Sequence, residues 1–126
     1  GQGRNQREEK QDVRSHAELE AMAQACKTLG SWRLEGCDLY VTLEPCPMCA
    51  GAIFNARIDR LVYGARDEKA GAVDTQFHIC SSPKLNHRVS VSSGVCEEQC
   101  RQVMREFFLS RRDKKEQTPF CRDTQS

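Results

Sequence analysis

His16-Ala17-Glu18 is followed, thirty residues after the histidine, by Pro45-Cys46-Pro47-Met48-Cys49, so a fold that uses these residues together must bring two distant segments to one point. One imidazole and two thiolates can hold zinc with its fourth position open, and a carboxylate two residues from the imidazole can move protons beside the ion. Each half also has a plainer reading. Ser15-His16-Ala17-Glu18 fits a capping box, in which Glu18 reaches back to the backbone N–H of Ser15. Cys46-x-x-Cys49 alone suits a redox pair or half of a structural zinc site. Taken jointly, the two segments favour one open zinc site per chain, made by His16, Cys46 and Cys49. A redox pair has no use for His-x-Glu, and a closed structural site needs a fourth ligand that neither segment supplies at a regular spacing.

The local patterns place these residues on helix starts. Between Ser15 and Leu29, the residues Leu19, Met22, Ala23, Cys26 and Leu29 recur at helical spacing, and Gly30 marks a stop. Leu39 to Leu43 alternates as a strand does, Leu61-Val62-Tyr63 is a second short strand, and Pro47 opens a helix between them that ends near Asn55. Strand, helix and strand in that compass make a parallel crossover the expected connection. Val89 to Ser93 reads as a third strand, and Cys96 to Arg111 as a helix with Cys100, Val103, Met104, Phe107 and Phe108 on its apolar face. The spacing therefore sets Cys46 and Cys49 on one side of a first helical turn and His16 at the start of another helix. Two helix N-termini then face one ion and help keep the thiols ionised.

Composition narrows the setting. A chain of 126 residues with 38% apolar content is one domain, marginally stable alone or buried against a partner. Its net charge of +1 announces no nucleic-acid partner in bulk, so any basic patch is local. Eight cysteines without an apolar leader, behind fifteen polar and charged residues, point to a reducing compartment, and no run is long enough to cross a bilayer. Cys26, Cys37, Cys80, Cys96, Cys100 and Cys121 read as core or incidental thiols. His78-Ile79-Cys80 and the Cys96/Cys100 pair lack a complete ligand set, and His87 reads as a strand-entry residue. Between residues 101 and 115 there are six positive and two negative charges. Such a helix face can hold phosphates, although taken alone it reads more simply as a solvated face.

The resemblance to a known family extends well past the metal motif. Tyr40-Val41-Thr42-Leu43-Glu44-Pro45-Cys46-Pro47-Met48-Cys49-Ala50-Gly51-Ala52-Ile53, Ala56-Arg57-Ile58 and Val62-Tyr63-Gly64-Ala65-Arg66-Asp67-Glu68-Lys69-Ala70-Gly71-Ala72 resemble the bacterial tRNA-specific adenosine deaminases, within the cytidine-deaminase superfamily. Leu85-Asn86-His87-Arg88-Val89 and the helix from Glu98 through Phe107-Phe108 to Arg111-Arg112 are similar to that family too. The matching stretch runs from about Gly3 to Arg112.

This resemblance implies a cytidine-deaminase-like α/β fold, a three-layer α-β-α sandwich on a mixed sheet. It implies a deaminase domain over residues 1–112 and a polar, frayed tail over 113–126. Relative to the family, the chain would start at the end of the second strand, without the first helix and first strand. The sheet would then lack a partner and the pocket an apolar wall. The implied activity is zinc-dependent hydrolysis of adenosine to inosine at the wobble position of a tRNA anticodon, in the cytoplasm. Glu18 would be the proton-transferring residue. Asn5 and the backbone around Ala17 would hold the base, while Asp67, Lys69, Phe107, Arg111 and Arg112 would meet the anticodon stem-loop. A homodimer is expected, with the Ala50 to Arg57 helix near its interface. Two alternatives use the same motif: deamination of a free base, nucleoside or nucleotide of the guanine or cytidine type, and a noncatalytic, zinc-stabilised RNA-binding subunit.

Overall fold

The computed structural model describes the backbone of residues 1–117 and the side chains of residues 1–110. The chain opens with α1 (Arg7–Lys10), a single helical turn that no periodicity announces. Asn5 Oδ1 accepts the Arg7 N–H at 3.0 Å and holds its start. α2 spans Ala17–Leu29 and ends where Gly30 takes a left-handed φ of 66°, which lets its N–H close on the carbonyls of Cys26 and Lys27. β1 (Asp38–Leu43), α3 (Pro47–Asn55) and β2 (Arg60–Ala65) follow as the spacing predicts.

β1 pairs in parallel with β2, Leu39 beside Leu61 and Val41 beside Tyr63. β3 (Ser90–Ser92) extends the sheet on the far side of β2, again in parallel. Among the described residues all three strands are parallel, so of the expected mixed sheet the structure contains the parallel part. Each strand reaches the next by a crossover, which parallel pairing requires. β2 is central and buried from Leu61 onward, whereas β1 is an edge strand, with no strand on its other side among the described residues.

The sheet carries helices on both faces. Leu39, Leu61 and Tyr63 point to one side, where they form a core with Met22 of α2 and Ala50 and Ile53 of α3, extended by Ile58, Val73 and Val89. The other side takes α4 (Glu97–Gln117). It packs closely, because Cys100 fills the space that a Cβ on Gly64 would need and Thr42 Oγ1 meets Met104 Sδ at 3.8 Å. α4 also runs six residues beyond the expected end at Arg111, since neither glycine nor proline interrupts the chain before Pro119. The remainder of the expected tail, residues 118–126, lies outside the described residues. No helix among the described residues is long and apolar enough to cross a membrane.

Candidate metal centre and the groove beside it

His16 and Cys46 are the N-cap residues of α2 and α3, both in extended backbone conformation, and Cys49 sits in the first turn of α3 behind Pro47. The strand-to-helix turn at the end of β1 therefore aims two sulfurs at the start of α2. His16 Nδ1 lies 3.6 Å from Cys46 Sγ and 3.5 Å from Cys49 Sγ, and all three ligand atoms fall within 4.8 Å of one another. A tetrahedron built on zinc–sulfur bonds of about 2.3 Å and zinc–nitrogen bonds of about 2.0–2.1 Å has edges of roughly 3.5–3.8 Å. The donor set and its spacing fit zinc. No second group of three potential ligands exists among the described residues, so neither His78 with Cys80 nor Cys96 with Cys100 forms one.

The capping-box reading of Glu18 does not hold. Because His16 is the N-cap, Glu18 is the second helical residue instead of the third, and no side-chain bond caps α2. The Ser15 hydroxyl bonds to Glu20 instead. Glu18 is half-buried and turned to the ligands. Burial pushes its pKa up, against the pull of its own backbone N–H and of a hydrogen bond from Cys49. The two thiols are coupled: Cys46, accepting from Cys49 and from the N–H groups of Cys49 and Met48, is drawn down to about 5 against the cost of burial. Cys49, the donor, is pushed up.

A groove of about 850 Å³ opens beside the triad and brings together Asn5, His16, Ala17, Glu18, Cys46, Asp67 and Phe107. It continues along the free edge of β1, past Tyr40 and Thr42, to Val103, Met104 and Ser110 of α4. Phe107 also stacks edge-on against Phe108, with ring centres 5.5 Å apart. Asp67 is partly engaged already: its Oδ1 accepts the N–H groups of Lys69 at 3.0 Å and Ala70 at 3.1 Å. Lys69 is exposed and lies outside the groove lining. The side chains of Arg111 and Arg112 lie outside the described residues. Of the remaining basic residues on α4, Arg101 is tied to Glu97 and Glu98, which removes one positive charge from the stripe expected there.

Residues 1–112 match the model of the MafB19-like deaminases. The chain belongs to that family. Within it, this deaminase is 48% identical over 111 residues to the tRNA-specific adenosine deaminase of Bacillus subtilis, covering 88% of this chain and 69% of the relative. It is 46% identical to the enzyme of the same name from Haemophilus influenzae, over 91% of this chain and 66% of that one. Its fold superposes with a TM-score of 0.75, at 48% identity, on a structure from work on A-to-I editing by tRNA:A34 deaminases at the wobble position, across 79% of this chain and 72% of the other. A guanine deaminase from Bacillus subtilis matches less fully, with a TM-score of 0.50 at 31% identity over 67% of this chain and 63% of its own.

One residue of this deaminase has no role in the metal motif itself. Glu44, one position before Pro45, is buried, and no cation pairs with it among the described residues. Its Oε2 accepts the successive N–H groups of Val73 at 3.1 Å, Asp74 at 2.8 Å and Thr75 at 3.0 Å. Its Oε1 accepts the Asp67 N–H at 3.2 Å and a short bond from the Thr75 hydroxyl. Burial pushes its pKa up, but these donors outweigh burial and hold the carboxyl below its ordinary range. The one signal in the sequence was a carboxylate closing an apolar strand with no basic neighbour. The other cysteines behave as expected where described: Cys80 is buried, Cys26, Cys37 and Cys100 are half-buried, Cys96 is exposed, and none is bridged. Cys121 lies outside the described residues. His87 Nε2 donates to the Ile58 carbonyl at 3.0 Å, a structural contact at the entry to β3.

Proposed function

We propose that this deaminase hydrolyses adenosine to inosine and ammonia at the wobble position of a tRNA anticodon, in the cytoplasm, with one zinc ion held by His16, Cys46 and Cys49. The observation that carries this reading is the meeting of that triad and Glu18 at one groove. Zinc held by these three ligands would supply the Lewis acidity that lets water ionise near neutral pH. Glu18 stands beside the ligands with its pKa raised by burial. A carboxyl so tuned can take the proton from the attacking water and return protons to ring N1 and to the departing amine. Water adds at C6, the C6–N bond breaks, and ammonia leaves. Asn5 and the Ala17 backbone line the groove at the level of Glu18 and are assigned to the base. Asp67 and Phe107 are assigned to the flanking nucleotides, and Lys69, Arg111 and Arg112 to the stem-loop phosphates.

The anticodon stem-loop is favoured over a free base because the chain is 48% identical over 88% of its length to a tRNA-specific adenosine deaminase, against 31% over 67% for a guanine deaminase. Similarity to a guanine deaminase keeps a free purine as the second reading. Side-by-side assays separate the two. The expected result is inosine in an anticodon stem-loop carrying adenosine at the wobble position, with no turnover of free guanine or cytidine. Turnover of guanine with an inert stem-loop overturns the proposal, and zinc-replete protein that binds RNA but converts nothing identifies a noncatalytic subunit.

A further inference from the structure

We infer that Glu44 is a positioning residue, whose buried carboxylate locks the 67–75 loop onto the strand end that carries Pro45 and Cys46 and so fixes Asp67 in the groove. As a statement about catalysis, this rests on the function proposed above. Glu44 stands 2% exposed at the junction between β1 and the metal-binding turn. Five donors converge on it, all from the loop. A second tie runs from the Ala72 N–H to the Pro45 carbonyl at 2.9 Å. The loop is thereby fastened to the two residues preceding Cys46, through the side chain of Glu44 and the backbone of Pro45. Gly71 belongs to the same device, because a Cβ there would fall inside the Glu44 carboxyl group and against the Asp67 carbonyl.

The division of labour between the two oxygens makes the role specific. Oε2 holds three consecutive backbone donors, so in an amide replacement the remaining carbonyl oxygen takes that place. The amide NH₂ then falls where Oε1 was, donor against donor with the Asp67 N–H, while the Thr75 hydroxyl can turn away. Glu44→Gln therefore frees the Asp67 end of the loop and leaves the ligands His16, Cys46 and Cys49 with their own contacts.

The test compares Glu44→Gln with the parent by residue-resolved amide exchange and by deamination of the stem-loop. Exchange at Asp67 is expected to speed up about tenfold or more, as for a backbone hydrogen bond lost from a buried site. KM for the stem-loop should rise by a similar factor, with zinc stoichiometry unchanged and the single-turnover rate at saturating RNA within about threefold of the parent. Unchanged exchange at Asp67 overturns the inference. Zinc loss with a lowered rate and an unchanged KM also overturns it, and makes Glu44 a support of the metal ligands. If the parent converts no stem-loop, the function fails and the exchange measurement alone decides the placement. Should Glu44→Gln not fold, Thr75→Val removes the hydroxyl bond to Oε1 while keeping the carboxylate. The same pattern at smaller amplitude is then expected, and exchange identical to the parent rejects the inference.

Discussion

Gly71 lies so close against the carboxyl group of Glu44 that no side-chain carbon fits between them. The contact joins a loop residue to a strand end twenty-seven positions earlier, immediately before the turn that carries Cys46 and Cys49. Gly71→Ala must push the carboxyl or the loop aside and disturb several of its five hydrogen bonds. Overpacking of this kind should cost about 3 kcal/mol. Urea unfolding will show it as a lowered midpoint with an unchanged slope, and a midpoint equal to the parent's would mean that the loop yields freely.

The ligand triad predicts one zinc per chain. His16→Ala and Cys49→Ser should each lose it, because three protein ligands are few and two do not retain the ion through dialysis. Elemental analysis of protein prepared without chelator measures the stoichiometry directly. Zinc-free parent, or full zinc in either variant, contradicts the assignment.

The proposed mechanism gives metal binding and proton transfer to different side chains, since Glu18 is not among the three grouped residues. Glu18→Gln should therefore keep the zinc and lose roughly 10²- to 10⁴-fold in the single-turnover rate. A variant that turns over within a few-fold of the parent, or that comes out without metal, would assign Glu18 another role.

Burial first, and the charge of Asp74 second, push the Cys80 thiol up to about 11 from an ordinary value of 9.0. Since the folded-state pKa is the higher one, the stability linked to this proton is present below pH 9 and declines as pH rises toward 11. Thiolate at Cys80 is accordingly scarce at pH 8, and the side chain is inaccessible. Alkylation followed by mass mapping at that pH should label exposed Cys96 quickly and Cys80 only at the rate of unfolding. Early labelling of Cys80 would show that the core opens readily.

Dimerisation through α3 is the proposed assembly. Ala50 and Ile53 face the core, whereas nothing lies within 4 Å of a Cβ built on Gly51, which leaves that side of the helix open for a second copy. Sedimentation of the parent should give a dimer at micromolar concentration, and Gly51→Arg should shift it to monomer with the fold intact. A parent that stays monomeric at high micromolar concentration rules the interface out.

Helix and strand boundaries were legible because their causes are local. Gly30 ends α2 and Pro47 opens α3 through backbone geometry that one residue dictates, and the alternation from Leu39 to Leu43 needs no distant partner. The meeting of His16, Cys46 and Cys49 was legible as well, since their identity and spacing suit one shared site. Where local causes were weak, the reading fell short. α1 is a four-residue turn with too few positions to show a period, and α4 runs past its expected end on residues that merely permit helix.

Relations across the chain had to come from the folded molecule. Ser15 and Glu18 satisfy a capping pattern in sequence, yet the helix starts one residue later than that pattern requires, because His16 is the N-cap and faces the thiols of α3. Glu44 looks like any strand-end carboxylate until the turn at 73–75 delivers three N–H groups to one oxygen. Arg101 counted toward a basic stripe until Glu97 and Glu98 claimed it. A hydrogen bond is decided by tenths of an ångström and by direction, and residues 23 to 31 positions apart acquire both only when the sheet and its crossovers close around them.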